Sequence, residues 1–276
     1  MKNLLRTMAL VVTIAACTDG TAATPVSADD VRLIVNGSPT GPAAFASVGA
    51  LLYDFDANGV IDGNDLLCTG SLIAPEVFLT ASHCVNFLPP SAQVYVSFDH
   101  ALFPETSGII PAVRTRFARN PGPLSSNTPP DLAVVVLPAG STTGLTPYTL
   151  PPLNYLEQLA AKGGLRGALF ANVGYGVSTV LTGRKEFEYD GNRNTSVSPF
   201  QALRGNLLIL NMQSAATGEG GDCFGDSGSP KFLGSDRRIV VGVVSWGDAP
   251  CRATSVNHRV DTEAARAFLG QFVALP

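Results

Sequence analysis

Three short islands hold residue types that cooperate in nucleophilic catalysis. They are "LTASHCV" with His83, "PPDLAVVVL" with Asp131 and "GDCFGDSGSP" with Ser227. A serine hydroxyl attacks poorly until a neighbouring base takes its proton, and that base needs a carboxylate to orient it and support its charge. The chain offers one candidate for each role, in the order His, Asp, Ser. Each borders an apolar run that could hold it rigidly. Taken singly, each also has a purely structural explanation: a histidine beside a cysteine, an aspartate opening a strand, a tight Gly-Asp-Ser-Gly turn.

A fourth stretch, "DFDANGVIDGND" from Asp54 to Asp65, is spelled like a calcium-binding loop. Calcium takes about six to eight oxygen ligands, and a loop of this length supplies them from alternate positions. Here those are Asp54, Asp56, Asn58, the Val60 carbonyl, Asp62 and Asp65, with Gly59 at the sharp turn and Ile61 as an apolar anchor. The last ligand is Asp where the usual motif has Glu, which resembles the calcium loops of dockerin modules. No helices flank the stretch, so a helix–loop–helix switch is not expected. An acidic hairpin with Asn-Gly at its tip is the competing reading.

The elements that must position these groups read as short strands between Gly/Pro turns: "SVGALLY", "GSLIAPEVFLTA", "AQVYVSF", "LAVVVL", "ALFANVGYG", "NLLILNM" and "IVVGVVSW". Many short strands suggest a β-barrel or sandwich. One helical pattern stands out near the C-terminus. There Ala264, Ala265, Phe268, Leu269 and Phe272 share a face, and Asp261 is the expected N-cap. Hydrophobic residues are 45% of the 276-residue chain and charged residues 14%, which suits a folded body. A net charge of −4 with no Lys/Arg run excludes nucleic-acid binding as an expectation.

The N-terminus has the form of an export signal: "MKNLLR", then the short apolar "TMALVVTIAA", then Cys17. "IAAC" resembles the lipobox of bacterial lipoproteins, which implies removal of residues 1–16, lipid on Cys17, and a membrane anchor. An ordinary export signal with a chance cysteine is the alternative. Residues 17–33 read as a tether, and residues 34–276 as the folded domain. Export makes disulfides available to the five cysteines.

Together, "TASHC", "DLAVV" and "GDSGSP", with "IVNG" at Ile34 to Gly37 and "SWG" at Ser245 to Gly247, resemble the chymotrypsin-like (trypsin-like) serine proteases. The resemblance implies an all-β fold of two six-stranded antiparallel barrels with a C-terminal helix, and peptide hydrolysis through an acyl-enzyme without a catalytic cofactor. His83, Asp131 and Ser227 would form the triad, and the N–H groups of Gly225 and Ser227 the oxyanion hole. Cys68 would pair with Cys84 and Cys223 with Cys251, leaving Cys17 for lipid. Cleavage before Ile34 would free an ammonium to pair with Asp226. Because Leu33 separates Arg32 from Ile34, that cut is expected after Leu33. Ser245, Trp246, Gly247, Gly221, Asp222 and Ser255 would shape the substrate pocket, with Gly221 at its floor. Asp222 tips the expectation toward Arg or Lys before the scissile bond, unless it turns away or bonds to neighbouring groups. Ser82 and Ser229 depart from the family pattern, standing where alanine and glycine are usual. The expected partners are protein or peptide substrates acting on a monomer. A catalytically silent relative used as a calcium-stabilised binding protein is the alternative function.

Overall fold

The computed structural model describes residues 37–104, 106–118, 130–180, 187–213 and 218–276. The expected signal, Cys17, the tether, Arg32, Leu33 and Ile34 all lie outside the described residues. No helix among the described residues is long and apolar enough to cross a membrane.

Strand β1 (Ser38–Pro39) is followed by the first lobe: β2 (Val48–Leu52), β3 (Leu66–Ala74), β4 (Val77–Thr80), β5 (Tyr95–Ser97), β6 (Ile109–Pro111), β7 (Arg114–Phe117) and β8 (Ala133–Val136). They form one antiparallel sheet in the order β6-β5-β2-β3-β4-β8-β7. Its outermost strands are two halves of one bent segment. On one side of the bend the Ala112 N–H donates to Val94 O; on the other the Val113 N–H donates to Val136 O. The sheet therefore curls through chain continuity rather than a closing ladder. Its strands are rich in Val, Leu and Ile, and its interior is a large apolar core around Leu51, Leu72, Phe78 and Val134. Between β3 and β4, Pro75 opens the turn and Glu76 completes it with φ +68°.

The second lobe contains β9 (Leu169–Gly174), the small ribbon β10 (Thr179–Val180) and β11 (Phe187–Glu188), then β12 (Asn194–Arg204), β13 (Leu207–Asn211), β14 (Pro230–Leu233), β15 (Val240–Gly247) and β16 (Thr254–Arg259). Six of these run β12-β13-β16-β15-β14-β9, and a β9–β12 ladder closes the barrel; β1 adds to β12. The buried side of this barrel is unusually polar. Asn172 donates to Ser196 and Ser198 at 2.9 and 2.8 Å, Ser198 donates to Gly220 O, and Lys231 lies fully buried beside them.

Among the described residues α-helices are few: α1 (Tyr155–Ala161) and α2 (Glu263–Leu269). The expected cap of the terminal helix is corrected. Thr262, not Asp261, accepts the Ala265 N–H. Asp261 is instead buried against Arg259 at 2.8 Å and accepts the Leu156 N–H at 2.7 Å, tying the two helices together. Arg193 joins the lobes. It is fully buried and donates to Val48 O and Phe98 O of the first lobe and to the Tyr175 hydroxyl of the second.

Candidate active site

His83 sits in a single 3-10 turn, Ser82–Cys84, directly after β4. The Cys68–Cys84 disulfide pins that turn to β3. Strand β4 pairs with β8 in a register that sets Thr80 opposite Ala133. That register carries Asp131, two residues earlier, to the histidine. His83 Nδ1 lies 2.7 Å from Asp131 Oδ2, and the His83 N–H donates to Oδ1 at 2.9 Å. The Ser82 hydroxyl donates to Oδ1 at 2.7 Å, and the Ser245 hydroxyl donates to Oδ2. Burial alone would raise the Asp131 pKa. The His83 hydrogen bond and charge, then the Ser245 and Ser82 hydroxyls, outweigh it and hold the carboxyl well below the usual range. Asp131 is thus a fully buried anion satisfied from four directions, and its charge is committed to the imidazole.

Ser227 lies on a loop gripped by β3. Its carbonyl accepts the Thr69 N–H at 2.9 Å, and the Thr69 hydroxyl donates to Gly225 O at 2.9 Å. Two glycines are obligatory here. At Gly225 φ is +94°, and a Cβ would stand 2.8 Å from the Gly176 Cα; at Gly228 φ is +85°, and a Cβ would stand 2.1 Å from the Thr80 hydroxyl. The Cys223–Cys251 disulfide braces the loop from the other side. Ser227 and His83 line one cleft of about 310 Å³. Among the described residues no hydrogen bond joins them, and apo structures of serine–histidine pairs often show this contact long or unmade. The neighbouring Asp226 is fully buried and accepts the N–H groups of Gly176 and Cys223, each at 2.9 Å. Burial, then the charge of Asp222, pushes it up to about 7.

The substrate pocket is corrected at two points. Gly221 is not its floor. Met212 lies across Gly221, close enough that a Cβ there would meet the sulfur at 2.2 Å, and Met212 lines the cleft instead. Nor does Asp222 offer a free carboxylate to a cationic substrate. It lines the cleft, but Oδ1 is ion-paired with Lys231 at 2.5 Å and Oδ2 accepts Ser255 Oγ at 2.6 Å. Ser245, Trp246, Gly247 and Ser255 line the cleft as expected. Ser229 is buried with its hydroxyl unpartnered among the described residues.

Sequence reasoning missed Lys231 and His258. His258 Nδ1 lies 3.3 Å from Ser245 Oγ, directly behind Asp131. Since Ser245 donates to Asp131, this contact requires the proton on Nδ1, which leaves Nε2 a buried acceptor without a partner among the described residues. Burial presses this imidazole down to about 4, so it is neutral at pH 7. No local signal marks it; only the β15–β16 register, with Val243 opposite His258, places it there.

The Asp54–Asp65 loop joins β2 to β3. Its base is closed by the Tyr53 N–H donating to Asp65 O at 3.0 Å. Asp54 Oδ2 accepts the Gly59 N–H, Asn58 Oδ1 accepts the Val60 N–H, and Gly59 adopts φ +77°. Carboxylate oxygens of Asp54, Asp56 and Asp65 come within 4.8 Å of one another. Asp62 does not join them: its Oδ1 accepts the Asn64 N–H and caps the turn Gly63–Asp65. Asn58 turns its amide nitrogen to Asp56 at 2.9 Å.

Residues 34–266 match the trypsin family. Glucanase inhibitor protein 4 of Phytophthora infestans is 30% identical over 221 residues, covering 78% of this chain and 80% of that protein. Among solved structures, heparin binding protein superposes with a TM-score of 0.63 at 19% identity, over 88% of this chain and 98% of that one. A double mutant of the human heparin binding protein gives 0.61 at 20%, over 86% and 96%. At such identities the structural likeness is one of fold. The two disulfides belong to an oxidising, extracytoplasmic setting. With the family match running over residues 34–266, and His83 and Ser227 lining one cleft with Asp131 bonded to the histidine, the chain belongs to the trypsin family.

Proposed function

We propose that the protein is an exported serine endopeptidase. The observation that carries this reading is the buried Asp131 anion bonded to His83, with Ser227 lining the same cleft as the histidine. His83 takes the Ser227 proton as the hydroxyl attacks the peptide carbonyl, and Asp131 holds the imidazole and supports the imidazolium that forms. The Gly225 and Ser227 N–H groups receive the oxyanion. His83 then protonates the leaving amine, and water repeats the sequence on the acyl-enzyme. Cleavage after Leu33 activates the chain by giving Asp226 an ammonium partner. Lipid on Cys17 anchors it to a membrane, with protein or peptide substrates reached beyond the tether.

The residues of the Asp54–Asp65 loop fit a structural calcium ion. Asp54, Asp56 and Asp65 offer converging hard oxygen donors, and a cation there would relieve the crowding of three carboxylates. Ligand binding to the folded state alone at about one hundred times Kd adds about 2.7 kcal/mol. The melting temperature should therefore rise in excess calcium over chelator, and the response should vanish in Asp54→Ala/Asp56→Ala.

A second reading is a catalytically silent binding protein. It is favoured by the relatives, one called an inhibitor and one a heparin binder. A fluorophosphonate probe separates the two. The processed protein, with calcium present, should be labelled at Ser227 and Ser227→Ala should not; a correctly folded, processed protein that resists labelling is the silent relative.

A further inference from the structure

The cleft beside Ser227 contains a carboxylate that is answered from behind. Lys231 lies in β14, fully buried, and its ammonium donates to Asp222 Oδ1 at 2.5 Å and to Asn172 Oδ1 at 2.7 Å. Asn172 is fixed by donating to Ser196 and Ser198, and Ser255 fills the other oxygen of Asp222. The cation is therefore built into the barrel by a connected network. Asp222 and Ser255 line the cleft, whereas Lys231 does not.

We propose that Lys231 is the specificity-determining residue, and that the pocket takes a medium-sized uncharged side chain, Leu or Met in preference to Arg or Lys. This rests on the endopeptidase reading. A buried carboxylate persists only when its charge is matched. Had Asp222 stood alone, an incoming ammonium or guanidinium would supply that match and be selected for it. Lys231 already supplies it. A second cation would give up its hydration for a neutralised pair, and would face the like charge of Lys231 across the carboxylate. An acidic side chain fares no better, because Asp222 stands between it and the lysine. Most of the rest of the lining is apolar, with the Met212 thioether, Val244, Trp246 and the Cys223–Cys251 disulfide, and the second carboxylate there, Asp248, is turned to the Arg252, Ala253 and Thr254 N–H groups.

Two measurements test the proposal. Processed enzyme is assayed on otherwise identical fluorogenic peptides with Leu, Met, Arg or Lys before the scissile bond. The uncharged pair should lead by about tenfold or more in kcat/KM. Independently of catalysis, calorimetry on Ser227→Ala compares benzamidine, a cationic pocket probe, with benzamide, its uncharged analogue. Benzamide should bind at least as tightly. In Ser227→Ala/Lys231→Met the benzamidine affinity should rise by about tenfold or more. If that variant fails to fold, Ser227→Ala/Asp222→Asn/Lys231→Met, which removes both charges, should keep the original order of the two probes. Preference for Arg or Lys, or tighter binding of benzamidine than benzamide before any change at Lys231, overturns the proposal. Failure of serine labelling would sink the peptidase reading alone, since the probe comparison still reports on the pocket.

Discussion

Asp131 and Asp222 are both buried carboxylates lining or backing the same cleft, yet they are used in opposite ways. Asp131 accepts from two serine hydroxyls, one backbone N–H and the His83 ring. None of these is a fixed cation, so on the peptidase reading its charge is held for the imidazolium that appears only during reaction. Asp222 is bound permanently to an ammonium. Its charge is spent before any substrate arrives. The lesson is that a buried acid acquires its role from the permanence of its partner. Neutral donors leave an anion poised, whereas a resident lysine turns it into structure.

That contrast can be broken or sharpened by substitution, beginning with the largest effect. Asp131→Asn keeps the shape but loses the charge and the correct tautomer of His83. Turnover should fall about 10⁴-fold with the fold retained, as steady-state kinetics on folded protein would register. A loss under tenfold would mean that Asp131 is not poised as described. Asp222→Asn should act on stability instead, because it strands Lys231 in a dry interior. Denaturant unfolding should show a loss of about 3–5 kcal/mol, largely restored in Asp222→Asn/Lys231→Met. If the single variant lost under about 1 kcal/mol, the pair would not be the structural element inferred.

Acid titration addresses the histidine behind Asp131. His258 is pushed down to about 4 in the fold, against about 6.5 in an unfolded chain. Between those values the unfolded chain binds the extra proton. The contribution of His258 therefore falls as pH drops from 6.5 to 4, by about 3 kcal/mol in all. Asp226, raised to about 7, has the opposite sign between about 4 and 7, so the comparison must be with His258→Gln. That variant should lose less stability than the parent between pH 7 and 4, and parallel curves would refute the assignment. The smallest effect is expected at Ser82→Ala. It removes one of four donors to Asp131 and should cost about 1 kcal/mol of stability, with activity reduced only a few-fold. A hundredfold loss of activity would make Ser82 indispensable rather than supporting.

The places of His83, Asp131 and Ser227 and the two cysteine pairs were legible through the family resemblance, which rests on short local spellings. "TASHC" and "GDSGSP" carry the special turns and cysteines within a few residues of the reacting groups. The strands with continuous Val, Leu and Ile were legible from local spelling as well. Lys231 was not, because a lysine between Pro230 and Phe232 reads as a solvent-facing strand residue, and lysine is almost never buried without a partner. Its partners, Asp222 and Asn172, come from a different loop and a different strand, so only the closed barrel brings them together. The long strand β12 was missed because Asn194, Ser196 and Ser198 look like loop residues until Ser196 and Ser198 are seen to accept from the Asn172 amide inside the barrel and Asn194 to donate to Asp190. The cap of α2 was misplaced by one residue because Asp261 has a stronger obligation to Arg259.

The hydrogen bond between Tyr53 and Asp65 makes the β2–β3 connection a socket. The chain leaves the sheet and returns to it at the same point, so the segment between can be exchanged for one that replaces the packing of Ile61 on the core and of Gly63 against Phe103 while the ladder keeps its register. Closure entropy grows only slowly with the length of such an excursion. Guest segments whose two ends meet at that spacing could be spliced between Tyr53 and Leu66, making this end of the β2–β3 hairpin a site where new binding loops can be grafted while the sheet keeps its register.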